Sequence, residues 1–116
     1  MRILIAGAVD VAPEKREQAL KDAKPLIDAA LAEKGCVEYS WTADVNLPGR
    51  IRVFEEWESE PDLAEHLAGA PYKGMLAHLG GIGILKAVTQ KYRVDHFEPV
   101  YDPQGKPRAD FFTLKK

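Results

Sequence analysis

Three side chains in one short stretch have types and spacing that could do chemistry. They are Trp57, His66 and Tyr72, within FEEWESEPDLAEHLAGAPY, residues 54–72. An imidazole has an unperturbed pKa of about 6.5, so His66 can act as a general base near neutral pH. Trp57 offers one indole N–H donor and a flat surface for an aromatic ring. Tyr72 adds a hydroxyl after the Ala70-Pro71 break. A base with nearby donors is what proton removal from a bound small molecule needs, because donors stabilise the anion that develops as the proton leaves. Each residue also has a plainer reading: a wall tryptophan, a half-buried histidine bonded to a carboxylate, and a packed tyrosine. Glu55, two residues before Trp57, could orient a base; more simply it pairs with a cation across the sheet.

Local structure has to bring these residues together. Residues 2–11 read as an apolar strand. A helix is expected over about 13–34, with Pro13 in its first turn and Leu20, Ala23, Ile27, Ala30 and Leu31 at helical spacing. Pro25 predicts a kink or a shifted start, and Lys34-Gly35 a stop. Residues 36–46 and 50–58 alternate around NLPGR as an antiparallel hairpin. Val37, Tyr39, Trp41, Ala43 and Val45 share one face of the first strand; Ile51, Val53, Glu55 and Trp57 share one face of the second. Arg52 falls opposite Trp57 and is excluded from its site.

Ser59 caps the next helix, Pro61 enters its first turn, and Asp62 complements its dipole. Leu63, His66 and Leu67 are expected on one face. A second short helix follows at about 71–79, GGIG reads as a flexible link, and residues 86–98 as the last strand. The order β-α-β-β-α-β predicts an α+β, ferredoxin-like fold with a four-stranded antiparallel sheet and helices on one face. Large residues on both faces of the strands, Phe54 and Phe97 among them, require a cover for the helix-free face. A second copy of the chain is the expected cover, making a homodimer.

Composition narrows the rest. With 116 residues the chain predicts one domain over 1–100 and a C-terminal extension over 101–116. Phe111, Phe112 and Leu114 would let that extension add an edge segment or reach a partner. A net charge of −2 lacks the basic footprint of a nucleic-acid partner. No apolar run approaches the roughly 20 residues needed to span a membrane. MRILIAGAVDV has a short apolar run followed at once by charge, and reads as a strand rather than a signal peptide. The single cysteine, Cys36, excludes an internal disulfide and is compatible with a reducing cytoplasm, the expected location. His66, His78 and His96 are 12 and 18 residues apart, which matches no local ligand motif, so no metal is expected. LGGIGIL leads into a strand rather than a helix, so it lacks the helix N-terminus of a phosphate site.

The element order and the motif Glu55-x-Trp57-x-Ser59, followed by His66 and Pro71-Tyr72, resemble the antibiotic biosynthesis monooxygenase (ABM) family of the dimeric α+β barrel superfamily. The resemblance covers roughly residues 2–98. It implies a homodimer whose two sheets close into a barrel, each subunit with its own pocket between sheet and helices. It further implies a monooxygenase that uses O2 without metal or flavin on a small electron-rich aromatic, with no bound cofactor. His66 would be the catalytic base, and Trp57 and Tyr72 would bind substrate. One alternative is a non-catalytic dimeric module that binds a small molecule. Another is a haem-degrading monooxygenase. Haem-degrading members use an asparagine on the first strand where this chain has Gly7 or Ala8, which weakens that reading.

Overall fold

The computed structural model describes residues 1–114. Its elements are β1 (Arg2–Asp10), α1 (Pro13–Leu31), β2 (Cys36–Ala43), β3 (Arg50–Trp57), α2 (Glu60–Ala68), α3 (Ala70–Ile82) and β4 (Lys86–Val94). The strands form one antiparallel sheet in the order β2-β3-β1-β4. This is the expected α+β ferredoxin-like arrangement, with its second helical region divided at Gly69.

Strand pairing sets the rows on which everything else rests. Cys36, Trp57, Ile3 and Arg93 lie in one row across the sheet; Tyr39, Glu55, Ile5 and Lys91 lie in the next. Side chains of directly paired residues share a face, and this face is the one the helices cover. Ile3, Tyr39, Trp57, Leu63, Met75 and Leu79 form a single buried cluster there with Ala23 and Ala30 of α1. The alanines let α1 lie close to the sheet. Gly74 does the same between helices, since a Cβ there would stand 2.8 Å from Leu26.

The α2 start follows the sequence signals. Ser59 Oγ accepts the Asp62 backbone N–H at 3.2 Å and donates to Asp62 Oδ2 at 2.8 Å. Ser59→Ala removes this cap, and should lower the unfolding free energy by about 1 kcal/mol, read as a shift in urea midpoint at constant slope.

Several boundaries differ from the sequence reading. α1 runs unbroken through Pro25 but ends at Leu31. A bulge between Cys36 and Glu38 shifts the alternation, so Val37 turns outward and is 43% exposed. β2 ends at Ala43, and Val45 is 96% exposed rather than inward. The Asp44 carboxylate causes this by accepting the backbone N–H groups of Asn46 and Leu47, which folds the chain into a turn. GGIG is no free link: α3 continues through Gly80 and Gly81, and Gly83 stops it at φ +100. β4 ends at Val94.

The opposite sheet face carries no helix. Leu4, Ala6, Ala8 and Phe54 are half-buried there, while Val88 and Tyr92 are 54% and 47% exposed. Arg52, as expected, is on this side, paired with Asp44 at 2.7 Å. Asp10 and Arg50 form a bidentate pair at 2.9 and 3.0 Å. A hollow of about 460 Å³ runs over Ala6, Ala8, Val88, Gln90 and Tyr92. Beyond β4 the chain folds on itself rather than adding a fifth strand among the described residues. Tyr101 bridges Pro107, Thr113 bonds Glu98, and Phe111 lies edge-on to His96. Phe97 sits under the Arg2 guanidinium at 5.3 Å and is 67% exposed.

Candidate functional site

The end of β3 and the first two turns of α2 bring Trp57 and His66 into direct contact. β3 delivers Trp57 to the helix face, Ser59 starts α2, and two turns carry the chain back over the sheet to His66. The indole and imidazole centroids are 4.5 Å apart, with planes tilted by 31°. Tyr72, two residues into α3, stands edge-on to the imidazole at 5.7 Å, and Tyr39 of β2 does so from another side at 5.4 Å. Trp57 and His66 are 0% and 1% exposed. The three expected site residues are thus brought together. No substrate-sized space separates Trp57 from His66: the rings pack on each other, and neither the hollow over the helix-free face nor the groove beside β4 is lined by them. Leu67, expected on the inward face with His66, is 44% exposed; α2 buries Asp62, Leu63 and His66 instead.

Two carboxylates flank the imidazole, and one of them holds it. His66 Nδ1 lies 2.6 Å from Glu33 Oε1. A carboxylate can only accept, so Nδ1–H donates and Nε2 keeps its lone pair in the neutral ring. Nε2 faces Glu55 Oε1 at 3.9 Å, too far for a hydrogen bond. Glu55 Oε1 in turn accepts the Trp57 indole N–H at 3.0 Å. Glu55 therefore meets no cation across the sheet; its row neighbours are Tyr39 and Ile5. Burial pushes its carboxyl above the usual carboxylate range; the indole donor and His66 oppose the shift, while Glu33 adds to it. Burial, reinforced by Glu55 and then Glu33, moves the Cys36 thiol to about 11. The Tyr39 phenol rises well above its ordinary value, mainly by burial.

Glu33 is the residue of this candidate site that sequence reasoning missed. It lies in the turn after α1, where Gly35 at φ +78 allows close approach to α2: a Cβ on Gly35 would meet Asp62 Oδ2 at 2.2 Å. A signal was present, since an acidic residue at a helix C-terminus opposes the helix dipole and calls for another reason.

The raised pKa of Glu55 has a consequence for stability. Between the ordinary carboxylate range and the raised Glu55 value, the folded state keeps a proton that the unfolded chain has released. Stability attributable to Glu55 therefore falls as pH rises through that window. Glu55→Gln, neutral throughout and still able to accept the indole N–H, should flatten this slope. Urea unfolding followed from about pH 4 to about pH 8 would show it.

Residues 2–77 match the family model described as antibiotic biosynthesis monooxygenase. The chain belongs to that family. The ABM match ends within α3, so β4 and everything after it lie outside the matched region. The chain is 29% identical over 75 residues to a Bacillus subtilis (strain 168) protein named "Putative monooxygenase YcnE", a match covering 65% of this chain and 79% of that one. It is similar to a conserved protein from Methanosarcina mazei Go1, at 26% identity and TM-score 0.73, over 80% of this chain and 92% of the other. A Deinococcus radiodurans structure, described as that of "a putative antibiotic biosynthesis monooxygenase", shares the fold at 17% identity and TM-score 0.78, over 86% and 99% of the two chains. ABM membership and the fold are thus established independently of any assignment of chemistry to His66.

The first strand bears on the haem-degrading alternative within the ABM family. Gly7 lies on the helix side of β1, and a Cβ there would stand 2.1 Å from Val88 O and 2.6 Å from Thr89 Cα. An asparagine could not occupy that position with β4 where it is. Ala8 falls on the opposite sheet face. No helix is long and apolar enough to cross a membrane among the described residues.

Proposed function

We propose that the protein is a monooxygenase that oxidises a small electron-rich aromatic with O2 and needs no metal or flavin. The observation that carries this reading is the clamped imidazole. Glu33 fixes Nδ1, which leaves Nε2 as the free basic atom in a cage of Tyr39, Trp57 and Tyr72. His66 is the base in this reading; Trp57 and Tyr72 shape the aromatic site, and the Tyr72 hydroxyl is its donor, the indole N–H being held by Glu55. Removing the phenolic proton makes the ring electron-rich enough to reduce O2. The balance closes without another reductant. With 1-naphthol, one oxygen atom becomes the second carbonyl of 1,4-naphthoquinone and the other leaves as water, carrying the phenolic hydrogen and the ring hydrogen. The substrate supplies all four electrons.

The partner in this reading is a second copy, with the two helix-free faces together as a barrel. The half-buried Leu4, Ala6, Ala8 and Phe54 and the exposed Val88 and Tyr92 support it. Light scattering on the eluting protein should give twice the 12.9 kDa chain mass; a monomer would remove the barrel.

A second reading, a non-catalytic dimeric module, is favoured by one observation: His66 is 1% exposed, so no substrate touches it until a wall residue moves. An oxygen electrode separates the two, using chelator-treated protein with 1-naphthol and related hydroquinones. Protein-dependent uptake supports the oxygenase. Uptake no faster than the uncatalysed reaction across the panel leaves the module.

A further inference from the structure

The helices leave β4 uncovered: every residue from Lys86 to Arg93 is exposed, and only Val94 is half-buried. A groove of about 410 Å³ results between β4 and α2, on the helix side of the sheet. Its volume is that of a small-molecule site, commonly about 300–1,000 Å³. The floor and one wall are apolar, formed by Ile3, Leu63 and Leu67. Pairing places Arg93 beside Ile3 and Lys91 beside Ile5, so both cations stand on the groove side of β4. One acid, Glu60, lies at the α2 end. Among the described residues Arg93 has one loose ion-pair partner, Asp95 at 3.9 Å, both exposed. Two cations against one acid over an apolar floor fit a planar apolar body with one negative charge.

We propose that this groove binds a small aromatic carboxylate, with the ring on Ile3 and Leu63 and the carboxylate held by Arg93 and Lys91. Arginine suits this role because its fork matches a carboxylate in two parallel bonds. Ile3 pairs directly with Trp57 across the sheet, and both belong with Leu63 to one packed cluster, so the floor of the groove adjoins the wall of the cage. Aromatic carboxylates that also carry a ring hydroxyl are thereby the substrate class for the proposed oxygenase, since the hydroxyl supplies the proton that the reaction removes. Binding rests on that reading only for what happens afterwards.

Titration calorimetry with 2-naphthoate and 2-naphthol, which differ mainly in charge, tests it without turnover. The carboxylate should bind about tenfold tighter than the naphthol. Lys91→Gln with Arg93→Gln should erase that difference; both positions are exposed on an edge strand, so the fold should survive. Ala64→Trp, at an exposed position lining the groove, should block both probes. Methyl NMR shifts on addition of 2-naphthoate should fall on Leu63, Ala64 and Leu67. Equal affinity for the two probes, an unchanged preference in the double variant, or shifts confined to Ala8 and Val88 would overturn the proposal. So would concentration-dependent shifts of Leu67 without probe, which would mark a second copy as the occupant. Naphthol oxidation that persists while 2-naphthoate fails to bind would sink this inference alone and leave the oxygenase standing.

Discussion

Trp57→Ala should lower the unfolding free energy by about 3–5 kcal/mol. The indole is fully buried, stacks on His66, and donates the hydrogen bond that Glu55 accepts in the cage. Truncation loses the apolar burial and leaves a cavity beneath α2. It also strips a buried carboxyl of its donor, a further cost of about 1–3 kcal/mol if no water replaces it. Against a total stability of about 5–15 kcal/mol for a typical domain, the variant would lose a large share of its stability. Trp57→Phe separates the parts: it keeps most of the ring burial and deletes only the donor. Its loss should be well under half that of the alanine variant in urea melts. Equal losses would mean that the hydrogen bond to Glu55, rather than packing, dominates this position.

His66 carries the second large effect, on rate rather than on folding. A positioned general base contributes about 10²–10⁴-fold, and His66→Gln should cost oxidation of 1-naphthol that factor in kcat. Glutamine keeps a donor for Glu33 and much of the volume, so the protein should still fold. Glu33→Gln should cost less and differently, because it disturbs the orientation of the imidazole without removing the base. A His66→Gln variant as fast as the parent would reduce this histidine to a packed and bonded core residue.

Fold and site were legible in the sequence to different depths, for identifiable reasons. The sheet and its helices followed from alternation in residues 50–57 and from the cap at Ser59, because both are local signals. Trp57, His66 and Tyr72 were singled out correctly as neighbours. Glu33 was not, since it reaches His66 across 33 residues, and only the turn at Gly35 makes that approach possible. Val37 and Val45 misled for another reason. Alternation assumes an unbroken pleat, and a bulge and the Asp44 turn each break it. The helix through Gly80 and Gly81 was hidden because glycine tells of local cost, not of what the surrounding chain imposes. The uncovered side of β4 was also invisible, because it depends on where α2 ends up in space. A pattern of Lys91 and Arg93 alternating with Gln90 and Tyr92 looks like any solvated edge strand.

Everything proposed for this site turns on whether the chain transfers one oxygen atom from O2 without a cofactor. Mass spectrometry after turnover under isotopically heavy O2 decides that, using chelator-treated protein and 1-naphthol. The expected products are 1,4-naphthoquinone with one heavy oxygen and one heavy water per turnover, and both should be lost with His66→Gln. Quinone that contains only light oxygen, or product that appears only when a metal or flavin is added back, would contradict cofactor-free oxygen transfer.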